Sequence, residues 1–285
     1  MPTVKQALAV IGDPVAHSLS PPMHNAAIQD LGLAFTYTKI RVKPKELKKF
    51  LKTRGKKLAG FNCTVPHKEA VIPFLDWISQ GARRAGAVNT VVQRNGKFFG
   101  FNTDGAGYLT SLLQDTGFSP EKKRVLILGA GGAARGLAMS LAEEKVRQIT
   151  IANRTLSRAK DLVHQIKKYF PKLQVTASPL EGPPLQKALK TADLLINTTT
   201  VGMNGSGWKD FPWQQLRKKT LVSDIIYNPR MTPLLKGAKK RGLRIHTGEG
   251  MLVHQGALAF LLWTGYQPNT KLMHRELLKA LRKKS

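Results

Sequence analysis

The chain has 285 residues, of which 42% are hydrophobic and 22% are charged. This length is enough for one large or two ordinary domains, and the composition is that of a globular protein. Because the sequence contains no low-complexity tract or short repeat, solenoid and collagen-like folds are excluded. The single cysteine, Cys63, excludes an internal disulfide and a cysteine-cluster metal site.

The formal net charge of +29 is the extreme value in this composition. Basic residues are concentrated in residues 41–57 and in the C-terminal run 271–285. Such a charge is found in nucleic-acid-binding proteins, but it also attracts anionic substrates and cofactors. We interpret the two runs as solvated helix faces, because they are not interleaved with aromatic residues that could stack on bases. Specific nucleic-acid binding is therefore not expected.

The sequence predicts neither a signal peptide nor a membrane-spanning segment. Residues 1–14 reach a Gly-Asp-Pro turn before the apolar core of a signal peptide could develop. The longest apolar stretch, at 251–263, is interrupted by polar residues and is shorter than the roughly 20 residues that a bilayer requires. We therefore expect a cytoplasmic protein without membrane contact, either a monomer or a homodimer.

Strands and helices alternate from the start of the chain. Residues 7–12 (ALAVIG) predict a strand, and the next helix is expected to have Ser20 as its N-cap, Pro21 at its first position and Gly32 at its end. The following predicted elements are a strand at 35–42, a helix at 44–53, a strand at 59–65, a helix beginning at Pro66, and a hairpin at 87–103 that turns at Asn95-Gly96.

The alternation begins again with the apolar strand KKRVLILG at 122–129, which leads into a glycine cluster and a helix. The later predicted elements are a strand at 148–155, a helix at 156–170, strands within 192–199, 221–227 and 242–248, and helices after about residue 250. This spacing predicts a doubly wound parallel sheet. The expected fold class is therefore α/β with two domains.

The glycine cluster has the G-x-G-x-x-A spacing of a dinucleotide-binding loop, formed by Gly129, Gly131 and Ala134. It follows a predicted strand and opens a predicted helix, which is the context that this motif requires. Small residues allow a tight turn and a close approach of the backbone, and the helix N-terminus offers free N–H groups to a pyrophosphate. The cluster therefore predicts a dinucleotide site.

The loop that follows the next strand indicates NADP rather than NAD. An NAD site is expected to carry an acid about 20 residues beyond the glycines, where it bonds the ribose 2′-hydroxyl. In this chain the segment ANRTLSR contains Asn153, Arg154 and Arg158 and no acid. Guanidinium groups bind phosphate in bidentate fashion, so we predict NADP as the cofactor.

Four polar clusters in the first half predict an active site. HSLSPPMHN, NCTVPHK, AVNT and GFNTDG are each expected to lie where a strand ends. Because active sites of parallel sheets lie beyond the carboxyl ends of strands, the four clusters are expected to converge on one cleft. Reduction of a ketone by NADPH needs such polar groups, since a donor must meet the developing alkoxide.

Nine motifs, in order from about residue 11 to residue 264, resemble the shikimate dehydrogenase family. They are GDPVAHSLSPPMHN, GFNCTVPHKEAV, GAVNTV, GFNTDGAG, GAGGAARG, NRTLSR, NTTTVGM, YNP and GEGMLVHQGA. The resemblance implies reversible, NADPH-dependent reduction of 3-dehydroshikimate to shikimate, a step toward the aromatic amino acids. It also implies a substrate-binding domain at 1–104, a Rossmann-like NADP domain at 105–247, and C-terminal helices at 248–285 that return to the first domain.

The resemblance further implies roles for the residues that match the family motifs. Lys68 and Asp104 would form the catalytic pair that polarises the C3 carbonyl and handles the proton. The implied substrate-binding residues are Ser18, Ser20, Thr64, Asn89, Tyr227 and Gln255. The implied cofactor-binding residues are Gly129, Ala130, Gly131, Gly132, Ala133, Asn153, Arg154, Thr155, Arg158, Ile225, Gly248 and Met251.

Several reactive side chains are interpreted as structural. Cys63 stands where the family usually has an apolar residue, and we interpret it as a small buried hydrophobe. His17 and His24 are expected to support the serine loop or cap a helix, and His67 is expected to face outward. The seven histidines show no ligand spacing with carboxylates, so no metal is predicted.

Two alternative functions remain open at this point. A quinate or dual-specificity dehydrogenase would use the same scaffold, although the two serines and the basic cofactor loop favour shikimate and NADP. A non-catalytic sensor of shikimate-like ligands belongs to a different class. It would need neither Lys68 nor Asp104, so the presence of both favours an enzyme.

Overall fold

The computed structural model describes residues 5–203, 205–208 and 210–283, so the last two residues of the basic C-terminal run lie outside it. The chain divides into two compact units. Unit 1 contains Met1–Gly107 and Leu252–Ser285, and unit 2 contains Tyr108–Met251. These bounds lie a few residues from the predicted domain boundaries, and the assignment of substrate to one domain and NADP to the other stays a prediction.

Unit 1 is built on one six-stranded sheet. Its strands are β1 (Gln6–Gly12), β2 (Phe35–Arg41), β3 (Leu58–Cys63), β4 (Trp77–Ile78), β5 (Thr90–Arg94) and β6 (Lys97–Phe101). Its helices are α1 (Ser20–Asp30), α2 (Leu47–Lys52), α3 (His67–Ala70) and α4 (Gln80–Ala85), with short 3-10 turns at Pro44–Glu46, Arg54–Lys57 and Ile72–Phe74. The predicted hairpin is confirmed, because Asn95 and Gly96 both have positive φ, 50° and 76°, as its tight turn requires.

The sheet of unit 1 is mixed, with strand order β2-β1-β3-β5-β6-β4. β1 pairs in parallel with β2 and β3, whereas β5 pairs antiparallel with both β3 and β6. The carboxyl ends of β1, β3 and β6 and the amino end of β5 therefore lie at the same edge. The core below this edge is an apolar cluster that includes Ile11, Phe61, Val91 and Phe98.

Two helix starts differ from the prediction. Leu19 is the N-cap of α1, and Ser20 is its first helical residue, without a side-chain cap. The hydroxyl of Ser20 instead accepts a hydrogen bond from Ser18. The predicted end of α1 is confirmed, because Gly32 lies just beyond it with φ +61°. Pro66 is the N-cap of α3 rather than its first residue.

Unit 2 is built on a second six-stranded sheet. Its strands are β7 (Arg124–Leu128), β8 (Gln148–Ala152), β9 (Gln174–Ser178), β10 (Leu194–Asn197), β11 (Leu221–Asp224) and β12 (Arg244–His246). Its helices are α6 (Gly132–Glu143), α7 (Leu156–Tyr169), α8 (Gly182–Thr191) and α9 (Pro233–Lys240), with a 3-10 turn at Trp213–Gln215. Two more helices, α5 (Asp104–Thr116) and α10 (Glu249–Thr264), cross the boundaries between the units.

The sheet of unit 2 has the order β12-β11-β10-β7-β8-β9 and is parallel throughout. The strand β7 is central, and Val125, Leu126, Ile127 and Leu128 are all buried, as expected for a strand covered on both faces. This sheet confirms the predicted doubly wound fold. The strand β9 was not predicted, because its residues QVTAS are mostly polar.

The last helix, α11 (Thr270–Arg282), belongs to unit 1 and packs against α1. Its buried residues Met273, Leu277 and Leu281 repeat every four positions along one face. The predicted return of the C-terminal helices to the first domain is therefore confirmed. Within the described residues, no helix combines the length and the apolar character needed to cross a membrane.

Candidate active site and dinucleotide site

All four polar clusters lie at one edge of the unit 1 sheet because of the strand directions. Lys68 lies in α3, just after the carboxyl end of β3, and Asp104 begins α5, just after the end of β6. Asn89 precedes β5 rather than following a strand, so that part of the prediction is wrong. It reaches the same edge because β5 runs antiparallel to β3 and β6.

Lys68 and Asp104 form an ion pair in which Lys68 Nζ donates to Asp104 Oδ2 over 2.5 Å. Their side chains are 16% and 4% exposed, respectively, so water screens this pair far less than a surface pair. The backbone holds the lysine in place, because Val88 N–H donates to the carbonyl oxygen of Lys68 at 2.7 Å. The pair is therefore a fixed charged group at the sheet edge.

The amide of Asn89 orients the carboxylate of Asp104. Asn89 Nδ2 donates to Asp104 Oδ1 at 2.9 Å and to Gln255 Oε1 at 3.2 Å. Asn89 Oδ1 accepts the backbone N–H of Thr103 at 2.8 Å, which sets the direction of the amide. Both carboxylate oxygens of Asp104 thus accept hydrogen bonds, and together these bonds fix the orientation of the carboxylate.

A second layer of buried polar groups, which was not predicted from the sequence, supports Asn89. Asn62 Nδ2 donates to the carbonyl oxygen of Asn89 at 3.0 Å and to Thr90 Oγ1 at 3.1 Å. The hydroxyl of Tyr37 donates to Asn62 Oδ1 at 2.6 Å. The available signal was an asparagine inside the apolar strand LAGFNC, because a buried amide needs partners.

The two serines of the HSLSP motif form a buried pair beyond β1. Ser18 Oγ donates to Ser20 Oγ at 3.3 Å, and Ser18 and Ser20 are only 6% and 7% exposed, respectively. Thr64 is attached to the end of β1, since its N–H donates to Ile11 O at 2.9 Å. Tyr227 lies in unit 2, in the loop after β11. The structure thus groups the predicted substrate residues of unit 1 at one sheet edge, with Tyr227 on unit 2.

The histidine and cysteine predictions have mixed outcomes. His67 is fully buried, with Nε2 at 2.6 Å from Val42 O, so the expectation that it faces outward is wrong. His24 is also fully buried and stacks on Tyr37 with ring centroids 4.2 Å apart. Burial lowers the pKa of His24 to about 3, which keeps its ring neutral. Burial raises the pKa of Cys63, as expected for a small hydrophobe in the core.

The dinucleotide loop begins where β7 ends, and its backbone requires glycine. Gly129 has φ +110°, and a Cβ at this position would lie 2.6 Å from Thr198 Oγ1. Gly131 is the N-cap of α6 and has open space around its α-carbon, with no heavy atom within 4 Å of a built Cβ. A pyrophosphate placed there would meet backbone N–H groups at the positive end of a helix.

The other loop residues frame this cradle. Ala130 is buried, while Gly132 and Ala133 are half-buried in the first turn of α6. Strand order changes direction at β7, which has β10 on one side and β8 on the other, and nucleotides bind at such switch points. The cradle therefore fits a dinucleotide.

The basic loop after β8 is ordered by its own polar groups. Asn153 N–H donates to Ser178 O at 3.1 Å, and Asn153 Nδ2 donates to the carbonyl oxygen of Thr155 at 2.8 Å. Arg154 and Arg158 are both exposed. Guanidinium groups bind phosphate in bidentate fashion, and the contact of these two arginines with a 2′-phosphate stays a prediction.

The remaining predicted cofactor residues lie together in unit 2. A Cβ on Gly248 would lie 2.5 Å from the carbonyl carbon of Ile225, so the two backbones are in close contact. Met251 is 7% exposed and lies in the first turn of α10. The structure thus brings Gly248 against Ile225 and leaves their proposed contact with a nicotinamide as a prediction.

A buried carboxylate, Asp224, organises the loop beside the cradle, and it was not predicted from the sequence either. Its oxygens accept from Asn197 Nδ2 at 3.1 Å and from Thr232 Oγ1 at 2.7 Å. Asn197 Oδ1 in turn accepts from Thr199 N–H at 3.0 Å, and Thr198 packs under Gly129. Burial raises the pKa of Asp224 to about 6.

A metal centre is not indicated by the described residues, among which no group of three His, Cys, Asp or Glu side chains is placed to hold an ion. The chain instead presents a dinucleotide cradle on a doubly wound sheet and a buried lysine–aspartate pair on a separate α/β unit. These are the components of a two-domain, dinucleotide-dependent dehydrogenase.

Comparison with known proteins identifies the family within this class. The model for the shikimate dehydrogenase substrate binding domain matches residues 10–91, and the model for shikimate / quinate 5-dehydrogenase matches residues 112–225. The model for the shikimate 5′-dehydrogenase C-terminal domain matches residues 248–278. The chain belongs to the shikimate dehydrogenase family, and the predicted family is confirmed.

Individual relatives match the chain over nearly its full length. Shikimate dehydrogenase (NADP(+)) of Geobacter metallireducens is 43% identical over 281 residues, which is 98% of each protein. A solved shikimate dehydrogenase in complex with NADP+ has a TM-score of 0.88 and 38% identity, with 97% of this chain and 96% of that chain covered. The 5-ketofructose reductase of Gluconobacter sp. strain CHM43 has a TM-score of 0.84 and 36% identity, with coverage of 97% and 99%. Because one scaffold carries differently named activities, substrate choice depends on side chains.

Proposed function

We propose that this chain catalyses the reversible, NADP-dependent interconversion of 3-dehydroshikimate and shikimate in the shikimate pathway. The observation that carries the proposal is the buried ion pair of Lys68 with Asp104, held by the amide of Asn89. A ketone reductase needs one fixed donor at the carbonyl oxygen and a partner that keeps this donor charged and oriented. Full-length relatives that are named for this activity support the substrate assignment.

Lys68 Nζ donates a hydrogen bond to the C3 carbonyl oxygen and stabilises the negative charge that develops there. Its two donors besides the one held by Asp104 Oδ2 remain for the substrate, since an ammonium has three. Asp104 holds the ammonium in place and accepts a proton with Lys68 as one coupled unit when shikimate is oxidised. NADPH supplies the hydride when it is bound.

The substrate's other groups are assigned to the polar side chains at the same sheet edge. Ser18 and Ser20 hold the carboxylate through their hydroxyl groups, which already face each other at 3.3 Å. Thr64, Asn89 and Gln255 bind the ring hydroxyls, and the hydrogen bond between Asn89 and Gln255 supports a shared role. Tyr227 adds a contact from unit 2.

The cofactor's groups are assigned to residues of unit 2. The backbone from Gly129 to Ala133 binds the pyrophosphate, and the fit is supported by the space above Gly131. The segment from Asn153 to Arg158, including Arg154 and Thr155, binds the adenosine 2′-phosphate. Ile225, Gly248 and Met251 contact the nicotinamide end.

The first experiment measures the formation of NADPH by absorbance with shikimate and NADP+. Parallel reactions use NAD+, quinate and, in the reducing direction, 5-ketofructose. Lys68→Met removes the ammonium and keeps a similar volume, so we expect kcat to fall by about 10²- to 10⁴-fold. Lys97→Met is the matched control, because Lys97 is an exposed residue of the same unit.

Each outcome of this experiment supports one candidate function. Rapid turnover with shikimate and NADP+ that is lost in Lys68→Met alone supports the proposal and the role of the lysine. Faster turnover with quinate or 5-ketofructose would show that this compound, rather than shikimate, is the preferred substrate. An inert wild type that still binds shikimate in calorimetry would make the chain a non-catalytic sensor.

A further inference from the structure

A surface of one charge lies on unit 1 over residues 43–57, and we call it the basic surface. Eight exposed Lys and Arg side chains occur in this segment against one acid, Glu46. Within the described part of the chain, none of the eight forms an ion pair, whereas the preceding Arg41 pairs with Asp13 at 2.6 Å. The carboxylate of Glu46 accepts a hydrogen bond from the backbone N–H of Lys43 at 3.2 Å and so caps the 3-10 turn Pro44–Glu46.

Four lysines of the basic surface lie on one side of the helical segment formed by the 3-10 turn Pro44–Glu46 and α2. Lys45, Lys48, Lys49 and Lys52 line an open depression of about 420 Å³ together with Thr53. Their i, i+3, i+4, i+7 spacing extends for about 10 Å along the helical segment, at 1.5 Å per residue. The opposite face of the same segment is anchored in the core through Leu47, Phe50 and Leu51, so the lysines project from a rigid support.

The arrangement opposes helix stability rather than serving it. Lys48 and Lys52 stand at i and i+4 in α2, where two like charges repel each other and destabilise a helix. A row of phosphate groups would remove this repulsion and release counterions. A stabilising role in the fold therefore does not account for the cluster, whereas anion binding does.

The neighbouring side chains restrict the kind of polyanion. Phe50 is the one aromatic residue of the segment and is 6% exposed, so bases have no ring to stack on. The apolar residues of α2 are buried, so nothing projects into the acyl region of a membrane. We propose that the basic surface binds the phosphate backbone of nucleic acids, weakly and without reading sequence.

This proposal predicts a specific dependence on salt. Each phosphate that a lysine neutralises on duplex DNA contributes about −0.9 to the slope of log K against log salt. Four lysines on one face contribute about −3.6, so a doubling of the salt concentration weakens their share of the binding about twelvefold.

The experiment measures fluorescence anisotropy of a short labelled DNA duplex, and of an RNA duplex of equal length, across a series of NaCl concentrations. The test variant replaces Lys45, Lys48, Lys49 and Lys52 with Gln. The control replaces four exposed lysines of unit 2, at positions 187, 190, 236 and 240, with Gln. We expect the test variant to reduce the salt slope by about 3.6 and the control to retain most of it, with dehydrogenase activity unchanged in both.

Three results would overturn the proposal. An equal loss of affinity in both variants would assign the binding to overall charge rather than to the basic surface. Tighter binding to phosphatidylserine vesicles than to either duplex would assign the surface to membranes. Absence of duplex binding by the wild type at low salt would show that the basic surface does not bind nucleic acids.

Discussion

The candidate sites of the two units consist of different chemical groups, side chains in unit 1 and backbone in unit 2. In unit 1, side chains hold one another: Asn89 orients Asp104, and Asp104 holds Lys68. In unit 2, the cradle consists of backbone and small residues, and the positive φ of Gly129 with the open space above Gly131 defines its shape. Unit 1 is therefore sensitive to a change of chemistry at constant size, and unit 2 is sensitive to added volume.

The largest expected effect tests the chemical sensitivity of unit 1. Asn89→Asp keeps the shape of the side chain but replaces the donor to Asp104 with a second carboxylate, at a position where the two atoms lie 2.9 Å apart. Because loss of one fixed donor in an active site costs about 10²- to 10³-fold in rate, we expect a decrease of that size in kcat/KM. The acid limb of the pH profile should move to higher pH, since two adjacent carboxylates bind a proton more tightly.

The matched control for this prediction is Gln29→Glu, an equal change of charge on the exposed surface of α1. It should leave both rate and pH profile unchanged. If Asn89→Asp also retained the wild-type profile, the amide would not orient the carboxylate of Asp104, and the contrast between the units would fail.

A smaller effect is expected from the buried carboxylate of unit 2. Burial raises the pKa of Asp224 from 3.8 to about 6, so the folded protein holds this proton more tightly than the unfolded chain does. The stabilisation from Asp224 is therefore fully present below pH 3.8 and is lost as the pH rises through about 6. A shift of about two units corresponds to about 3 kcal/mol.

The measurement compares the wild type with Asp224→Asn, which cannot titrate at this position. The free energy of unfolding of the variant minus that of the wild type should rise by about 3 kcal/mol between about pH 3 and pH 7. Asp161→Asn, at an exposed position of α7, should show no such trend. A difference that is constant with pH would mean that Asp224 titrates normally and that unit 2 carries no buried charge of this kind.

The smallest of the three effects tests the volume sensitivity of unit 2. Gly129→Ala places a methyl group 2.6 Å from Thr198 Oγ1 at φ +110°. We expect a loss of about 2 kcal/mol in stability and about a tenfold loss in NADP+ affinity. Gly131→Ala is the control for stability, because its φ is −88° and a Cβ there has no neighbour within 4 Å.

Thermal unfolding and calorimetric titration with NADP+ separate these expectations. Shikimate binding should persist in Gly129→Ala, since its proposed ligands are on unit 1. Unchanged NADP+ affinity in Gly129→Ala would show that the backbone at this turn does not form the cradle.

The two sites also differ in how far the sequence could predict them. The glycine loop could be recognised locally, because Gly129, Gly131 and Ala134 lie within six positions and the motif carries its own strand and helix context. Lys68 and Asp104 are separated by 36 positions, and their pairing was available only through the family resemblance. Their ion pair agrees with this expectation, and their catalytic roles stay a proposal.

Other features could not be predicted because they depend on burial. His67 stands beside charged residues and was expected to face outward, yet the packing of α3 buries it against Val42. Asn62 and Asp224 lie within or at the end of apolar strands, and nothing beside them in the sequence indicates their partners. A lone polar residue in such a strand signals a network but does not identify its members.

The sequence by itself determined the α/β class, the cofactor cradle, the NADP preference and the family, because each depends on residues that are close together or on motifs in a set order. The tertiary structure alone decided which side chains hold the Lys68–Asp104 pair, and it did so through strand direction. Asn89 precedes its strand while Lys68 and Asp104 follow theirs, and they meet because β5 runs opposite to β3 and β6. Hydrogen bonds between distant residues form only after the sheet has set its register, so local sequence patterns do not contain them.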